Sequence, residues 1–439
     1  MGLSKKTKLI VSLALTISLT SVLTIGCNNG VSQSNNNKTQ EASNDSTLIY
    51  TQGIEQTTIY GKVKGSKENN EKTLLWQGIP YAKAPISNLR WKAPEDPEIW
   101  NNVFDATTPG NVGIQLSGSD IIGSEDCLNL DIYRPNTDET NLPVLLFIHG
   151  GNNQTGTSSE IDARKLAVNA NCIVVSINYR LGALGFNSLP ALKTGDINED
   201  SGNYTLLDIA KSLDWINENI EAFGGNPNNI TASGFSAGGR DIMAMLISPI
   251  FEGKFQKAIA FSGGMTISDP EESAQIIAKA IAPLVIEDNV KETEEDAYNW
   301  LLTDDTEVKD YLYSLFLTDT VTGFGASYPE AFNNEGAKDL SNKFTKYISN
   351  FLWNDNPNGE DLVEWNSWTS SSDGPTQLLL DADLNKAIIT MSHERTSYES
   401  ILNEIENDHS ITDEDKNTIV KEVLNGRWFS SRLDSYFNN

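Results

Sequence analysis

Two stretches constrain this chain most: LPVLLFIHGGN at 142–152 and CIVVSINYRLG at 172–182. Each is apolar for about the length of a strand and then ends in a glycine-bearing turn. A strand with one wet face alternates apolar and polar residues. A continuous apolar run is buried on both faces, which is the habit of a parallel sheet covered by helices. The neighbouring segments agree. TLLWQGIPYAKAP (73–85) opens with a short strand, CLNLDIYRP (127–135) alternates up to Pro135, and FQKAIAFSGG (255–264) is another strand. Between the last two, Leu206, Leu207, Ala210, Leu213, Ile216 and Ile220 recur at helical spacing, and Gly224 and Gly225 close that helix. Strands alternating with helices predict an α/β fold with a mainly parallel central sheet flanked by helices.

After residue 264 the character changes. DPEESAQIIAKAIAPLVIED (269–288) and EEDAYNWLLTDDTEVKDYLYSLF (294–316) read as acidic amphipathic helices. LSNKFTKYISNFLW (340–353) is a further helix, TQLLLDADLNKAIITMS (376–392) two strands around a turn at Asp383–Asn385, and the tail from 419 helical.

Composition limits the partners. The 439 residues carry 60 acidic and 32 basic side chains, a formal charge of −28, which repels nucleic acid and excludes that role. Neither zinc-ligand spacings nor phosphate loops occur, so no cofactor or metal is expected. The first residues have another purpose. A basic head, MGLSKKTK, precedes the apolar LIVSLALTISLTSVLTIG and then Cys27. That order marks a secretory signal, and LTIGC resembles a bacterial lipobox in which Cys27 is lipidated. A plain transmembrane anchor is the alternative. We expect a signal peptide at 1–26, a disordered tether at 27–48 that is too polar to bury surface, and a folded unit at 49–439. The protein is then lipid-anchored to the membrane outside the cytoplasm. Cys127 and Cys172 lie in apolar runs and are expected to be free thiols. The sequence does not reveal an oligomeric state.

The chemistry-bearing motif is GFSAGG at 234–239. In Gly-X-Ser-X-Gly the serine sits on a sharp strand-to-helix turn, and the helix behind it points N–H groups and a positive dipole end at the reacting oxygen. The motif is weak alone. Here apolar residues precede it, a helix pattern follows, and HGGN (149–152) ends a buried strand earlier in the chain. A serine with N–H donors from two loops points to acyl transfer.

The order of further motifs resembles type-B carboxylesterases, the cholinesterase-like branch of the α/β-hydrolases. GIPYAKAP with LRWKAPE, EDCLNLDIYRP, HGG, VSINYRLGALGF, GNYTLLD, NIEAFGGNPNNIT, GFSAGG and FSGG carry the resemblance over about 76–264. LSNKFTKYISNFLWNDNPNG, WNSW and PTQLLLDAD extend it near the end. The resemblance implies an α/β-hydrolase fold, small-molecule ester substrates, Ser236 as nucleophile, and an oxyanion hole formed by the N–H groups of Gly151, Asn152 and Ala237. It also implies an ion pair between Arg90 and Glu125. The chain departs from the family pattern at Asn152, where a third glycine is usual, and at Phe235, Ala232 and Asn129. The family's early disulfide is absent, since no cysteine lies between Cys27 and Cys127.

The larger departure concerns the rest of the triad, which runs Ser, then Asp or Glu, then His in this fold. The chain has three histidines: His149, His393 and His409. None lies between Ser236 and the family-like helix at 340–353, and no apolar run at 265–339 could supply the strands that carry the acid and the base. We infer an internal deletion joined near Ser314–Thr318. His149 then reads as structural, His393 and His409 as surface residues, and Glu335, which mimics the acid motif before Gly336, as surface also. The general base and acid are unknown. Removing triad members costs about 10⁴–10⁶ in turnover, and an oxyanion hole with binding retains roughly 10³–10⁴ over water. Two functions are therefore expected: a serine esterase acting through an acyl-serine intermediate, or a catalytically inactive hydrolase-fold surface protein, a pseudoenzyme that binds a partner or has decayed.

Overall fold

The computed structural model describes residues 48–315 apart from 69, 118–119 and 265–267, residues 335–393 apart from 368–373 and 383–384, and single positions between 403 and 416. The expected signal peptide, most of the tether, the inferred junction beyond Leu315 and the C-terminal tail lie outside these residues.

A seven-stranded sheet organises the fold. Its strands are β1 (Ser66–Glu68), β2 (Thr73–Pro80), β3 (Asn129–Pro135), β4 (Leu142–Ile148), β5 (Ile173–Ile177), β6 (Gly225–Phe235) and β7 (Lys257–Phe261). They lie in the order β7-β6-β4-β5-β3-β2-β1. The pairings from β7 to β5 are parallel, and those from β5 through β3 and β2 to β1 are antiparallel. The expected parallel arrangement thus holds for the half that bears Ser236. The other half is antiparallel, so the sheet is mixed.

Helices cover both faces, as the apolar runs demand. β4 and β5 are buried at every position. Val144, Leu146, Ile148, Val175 and Ile177 share a cluster with Leu213 and Ile216 of α2 (Tyr204–Asn219) and Ile242 of α3 (Ala237–Met245). Leu145, Val174 and Cys172 point the other way. They pack with Ala163, Ala167 and Ala170 of α1 (Ala163–Ala170) and with Ile348 and Leu352 of α7 (Glu335–Asn354). Each such Leu or Ile contributes about 1.5–3 kcal/mol by leaving water. Cys127 and Cys172 are both buried free thiols, and burial pushes the Cys172 thiol up to about 12.

β3 is the expected strand ending at Pro135, and all seven of its residues are buried despite the polar ones among them. The polar ones are satisfied internally. Asp131 accepts from Gly78 N at 2.9 Å and from Ser158 Oγ at 2.7 Å. Arg134 donates to the carbonyls of Phe223, Thr137 and Glu139 and lies over the Tyr50 ring. Buried polar groups persist where they find partners.

The segment after β7 is helical as expected. α4 (Pro270–Glu287) runs through Pro283, followed by α5 (Glu294–Leu301) and α6 (Thr306–Ser314). The expected ion pair is present: Arg90 Nη2 lies 2.5 Å from Glu125 Oε1 and Arg90 Nε 2.7 Å from Oε2. Arg90 Nη1 also donates to Leu315 O at 2.9 Å, closing the end of α6. α7 is tied to the sheet edge by Lys257 Nζ, which donates to Leu352 O at 2.8 Å. β8 (Gln377–Ala382) and β9 (Ala387–Ser392) form the expected antiparallel pair, which packs beside α7.

Candidate active site

Ser236 stands between β6 and α3 with φ 55° and ψ −112°. A non-glycine residue there stores about 1–3 kcal/mol of backbone strain, which the surroundings must hold in place. Ser236 N donates to Phe261 O at 2.8 Å, and Ser236 O accepts the first helical bond from Arg240 N at 3.0 Å. The flanking glycines are required by close approach. A Cβ on Gly234 would sit 2.3 Å from the Gly238 carbonyl, and one on Gly238 would sit 2.1 Å from Ile148 O. Bare Cα atoms let α3 abut the ends of β4 and β6, which pushes the Ser236 turn outward. The serine is half-buried, and Phe235 beside it is 43% exposed.

The loop after β4 meets this turn. A Cβ on Gly150 would lie 3.2 Å from Ser236 Cβ. Gly150 N donates to Glu160 Oε2 at 2.8 Å, while Gln154 N and Thr155 N both donate to Gly151 O. Asn152 and Asn153 follow with φ of 58° and 56°. Asparagine tolerates this left-handed conformation better than most side chains, so it can stand where a glycine is usual. Among the described residues, the N–H groups of Gly151, Asn152 and Ala237 meet no protein acceptor. Ser236 and this loop approach each other at Gly150, and the open N–H groups lie in the two segments that meet there.

No base joins them. Among the described residues none hydrogen-bonds to Ser236 Oγ. His149 is buried, and burial pushes its imidazole down to about 4, so the ring is neutral near pH 7. Its Nδ1 lies 3.0 Å from Gly150 O and 3.2 Å from the Tyr179 hydroxyl. The ring stacks on Tyr179. His393 follows β9, His409 lies at a turn, and both are exposed. Neither bonds to Ser236. Glu335 begins α7.

Two acceptors and donors on α3 were not singled out in the sequence. Arg240 Nη2 donates to Asn152 Oδ1 at 2.9 Å. Asn153 Nδ2 donates to Asp241 Oδ1 at 3.0 Å, and the Tyr179 hydroxyl, which donates to His149 O at 2.8 Å, lies 3.4 Å from Asn153 Oδ1. Asp241 is 5% exposed, and its Oδ2 has no partner. Burial pushes its carboxyl up to about 7, against the opposing pull of Asn153 and Arg240. A signal for Asp241 existed: it shares the buried stripe of α3 with Gly238, Ile242 and Met245. A carboxylate on an apolar stripe needs a partner.

A model of the carboxylesterase family matches residues 52–307. Para-nitrobenzyl esterase of Bacillus subtilis (strain 168) is 45% identical over 242 residues, covering 52% of this chain and 48% of that protein. An acylcarnitine hydrolase of Rattus norvegicus is 39% identical over 250 residues, covering 52% and 44%. A solved PNB esterase superposes with a TM-score of 0.50 at 42% identity, over 60% of this chain and 54% of that one. A Geobacillus stearothermophilus carboxylesterase superposes with a TM-score of 0.59 over 77% of this chain and 98% of that one. At 22% identity the last likeness concerns the fold alone. The chain spans about half the length of the curated relatives it matches.

Proposed function

The chain belongs to the carboxylesterase family, with its α/β-hydrolase fold, and from that premise we propose that it acts on carboxylic esters through Ser236. The observation that supports this reading is the Ser236 turn at φ 55°, which the loop meets at Gly150, with open N–H groups at Gly151, Asn152 and Ala237. Ser236 Oγ attacks the ester carbonyl carbon and the carbonyl oxygen becomes an oxyanion. The N–H groups of Gly151, Asn152 and Ala237 and the start of α3 stabilise that charge. Collapse of the adduct expels the alcohol and leaves an acyl-serine, which water then hydrolyses.

The proton balance sets the pace. With no imidazole on Ser236 Oγ, water or hydroxide takes the serine proton, and a water protonates the departing alkoxide. Turnover on this route falls about 10⁴–10⁶ below that of a complete triad and rises with pH. A second reading is a non-catalytic protein that binds an ester-like ligand at the same cleft. The exposed positions of His393 and His409, and the absence of a hydrogen bond to Ser236 Oγ among the described residues, favour it.

Hydrolysis of p-nitrophenyl acetate by the purified protein, compared with Ser236→Ala, separates the two. A Ser236-dependent rate with a trapped acyl group on Ser236 supports the esterase. Equal rates in the two proteins, with no acylated peptide, sink it in favour of the binding reading. We further propose that Cys27 carries a lipid that tethers the protein to the outer side of the cell membrane. Loss of membrane fractionation in Cys27→Ser is the expected result, and unchanged fractionation would refute the tether.

A further inference from the structure

Two consecutive side chains on the helix behind the serine reach two consecutive asparagines on the loop that faces it. Arg240 holds Asn152 at 2.9 Å, and Asp241 holds Asn153 at 3.0 Å. The loop needs such restraint. Asn152 and Asn153 both have positive φ, a conformation that asparagine tolerates better than most side chains but that two consecutive non-glycine residues hold at some cost. Gly151 before them has φ 85°, and among the described residues the N–H groups of Gly151 and Asn152 meet no protein acceptor. The Asn153 carbonyl is fixed as well, accepting from Gly182 N at 2.7 Å.

Of the two ties, the Asp241 one lies deeper. Both partners are buried, and a charged acceptor makes a stronger bond than a neutral one. The carboxylate uses only Oδ1 there, so an aliphatic side chain would fill the buried space with less loss than this orphaned oxygen incurs. Packing alone therefore does not account for an aspartate at 241. The bond to Asn153 does.

We propose that Arg240 and Asp241 are positioning residues that clamp the 150–156 loop to α3, aiming the N–H groups of Gly151 and Asn152 at the site where the oxyanion forms. The inference rests on Ser236 as nucleophile, and it deepens that reading by assigning what sets the geometry of the oxyanion hole. It places neither residue in contact with substrate.

The test uses the purified full chain at pH 8, with Asp241→Ala, Asp241→Asn and Arg240→Met. Two quantities are read: amide hydrogen exchange in the 150–156 segment, and the rate of Ser236 labelling by a fluorophosphonate probe. Asp241→Ala should raise exchange in that segment about tenfold or more while exchange in β4 stays unchanged. It should also slow the maximal labelling rate about tenfold or more with little change in the probe's half-saturating concentration. Asp241→Asn retains an amide oxygen for Asn153 and should recover most of both losses. Arg240→Met should show a smaller change in the same direction, about threefold. If Asp241→Ala does not fold, Arg240→Met on the outer side of α3 decides. Wild-type exchange at 150–156 in the folded variants overturns the clamp. Absence of labelling in the wild-type protein overturns Ser236 as nucleophile, and the exchange arm still decides whether the clamp exists.

Discussion

The ring of His149 lies on the ring of Tyr179 with centroids 4.2 Å apart and planes 11° from parallel. That stack places a neutral imidazole at one end of a buried chain of contacts whose other end is the carboxyl of Asp241. The two ends titrate in opposite senses.

Burial lowers His149 from 6.5 to about 4, so between those values the unfolded chain binds the extra proton and stability rises with pH. Burial raises Asp241 from 3.8 to about 7, so between those values the folded chain holds the extra proton and stability falls as pH rises. Each contributes at most about 1.4 kcal/mol per pH unit, and between about 4 and 6.5 they oppose. Asp241→Asn should expose the His149 slope, a gain on the order of 3 kcal/mol from pH 4 to 6.5 relative to wild type. His149→Gln should tilt the other way. Urea denaturation at pH 4.5, 5.5 and 6.5 measures both, and parallel curves for all three proteins would contradict the assignment.

Ser236→Gly should abolish probe labelling yet make the protein more stable, by about 1 kcal/mol, because glycine takes φ 55° without strain. Chemical denaturation midpoints check this. A lower midpoint in the glycine variant would mean that the turn is not strained.

Gly238→Ala should be severe. The added methyl would lie 2.1 Å from Ile148 O, backbone that cannot swing aside, so α3 must shift off the strand ends. We expect a loss of roughly 2–4 kcal/mol, in the range of overpacked sites and somewhat above. Thermal melting provides the comparison, and a wild-type melting temperature would show that the helix can move freely.

Arg90→Met should cost about 3–5 kcal/mol, because Glu125 is left as a largely buried unpaired carboxylate and the end of α6 loses its donor. The double variant Arg90→Met with Glu125→Gln should recover a substantial part of this. Failure of the second substitution to recover any stability would assign the loss to the helix end alone.

The sequence made β4, β5 and the Ser236 turn legible, because each imposes a local pattern: unbroken apolar runs in the first two, glycines at fixed offsets in the third. The antiparallel direction of β2 and β3 was not legible, since a strand buried on both faces carries no mark of its neighbours' direction. The burial of Asn129, Asp131 and Arg134 was not legible either, because polarity usually means exposure. Their burial depends on partners such as Gly78, Ser158 and Phe223, which only the fold brings near. The tie between Asp241 and Asn153 was hidden for the same reason, as 88 positions separate them. The positions of the histidines were legible because three are few enough to follow one by one.

The cover that α7 gives the second face of the sheet bears on biosynthesis. Leu145 and Val174 are translated early, but Ile348 and Leu352, which share their cluster, emerge from the ribosome about 170–200 residues later. Throughout that interval α1 covers only part of this side of the nascent sheet, and at about 5–20 residues per second the wait is on the order of ten seconds or more. The Ser236 turn, the 150–156 loop and α3 can form in that time. A chain stopped before residue 335 would present an assembled nucleophile turn on a half-covered sheet, a species for chaperones and proteases to hold or remove.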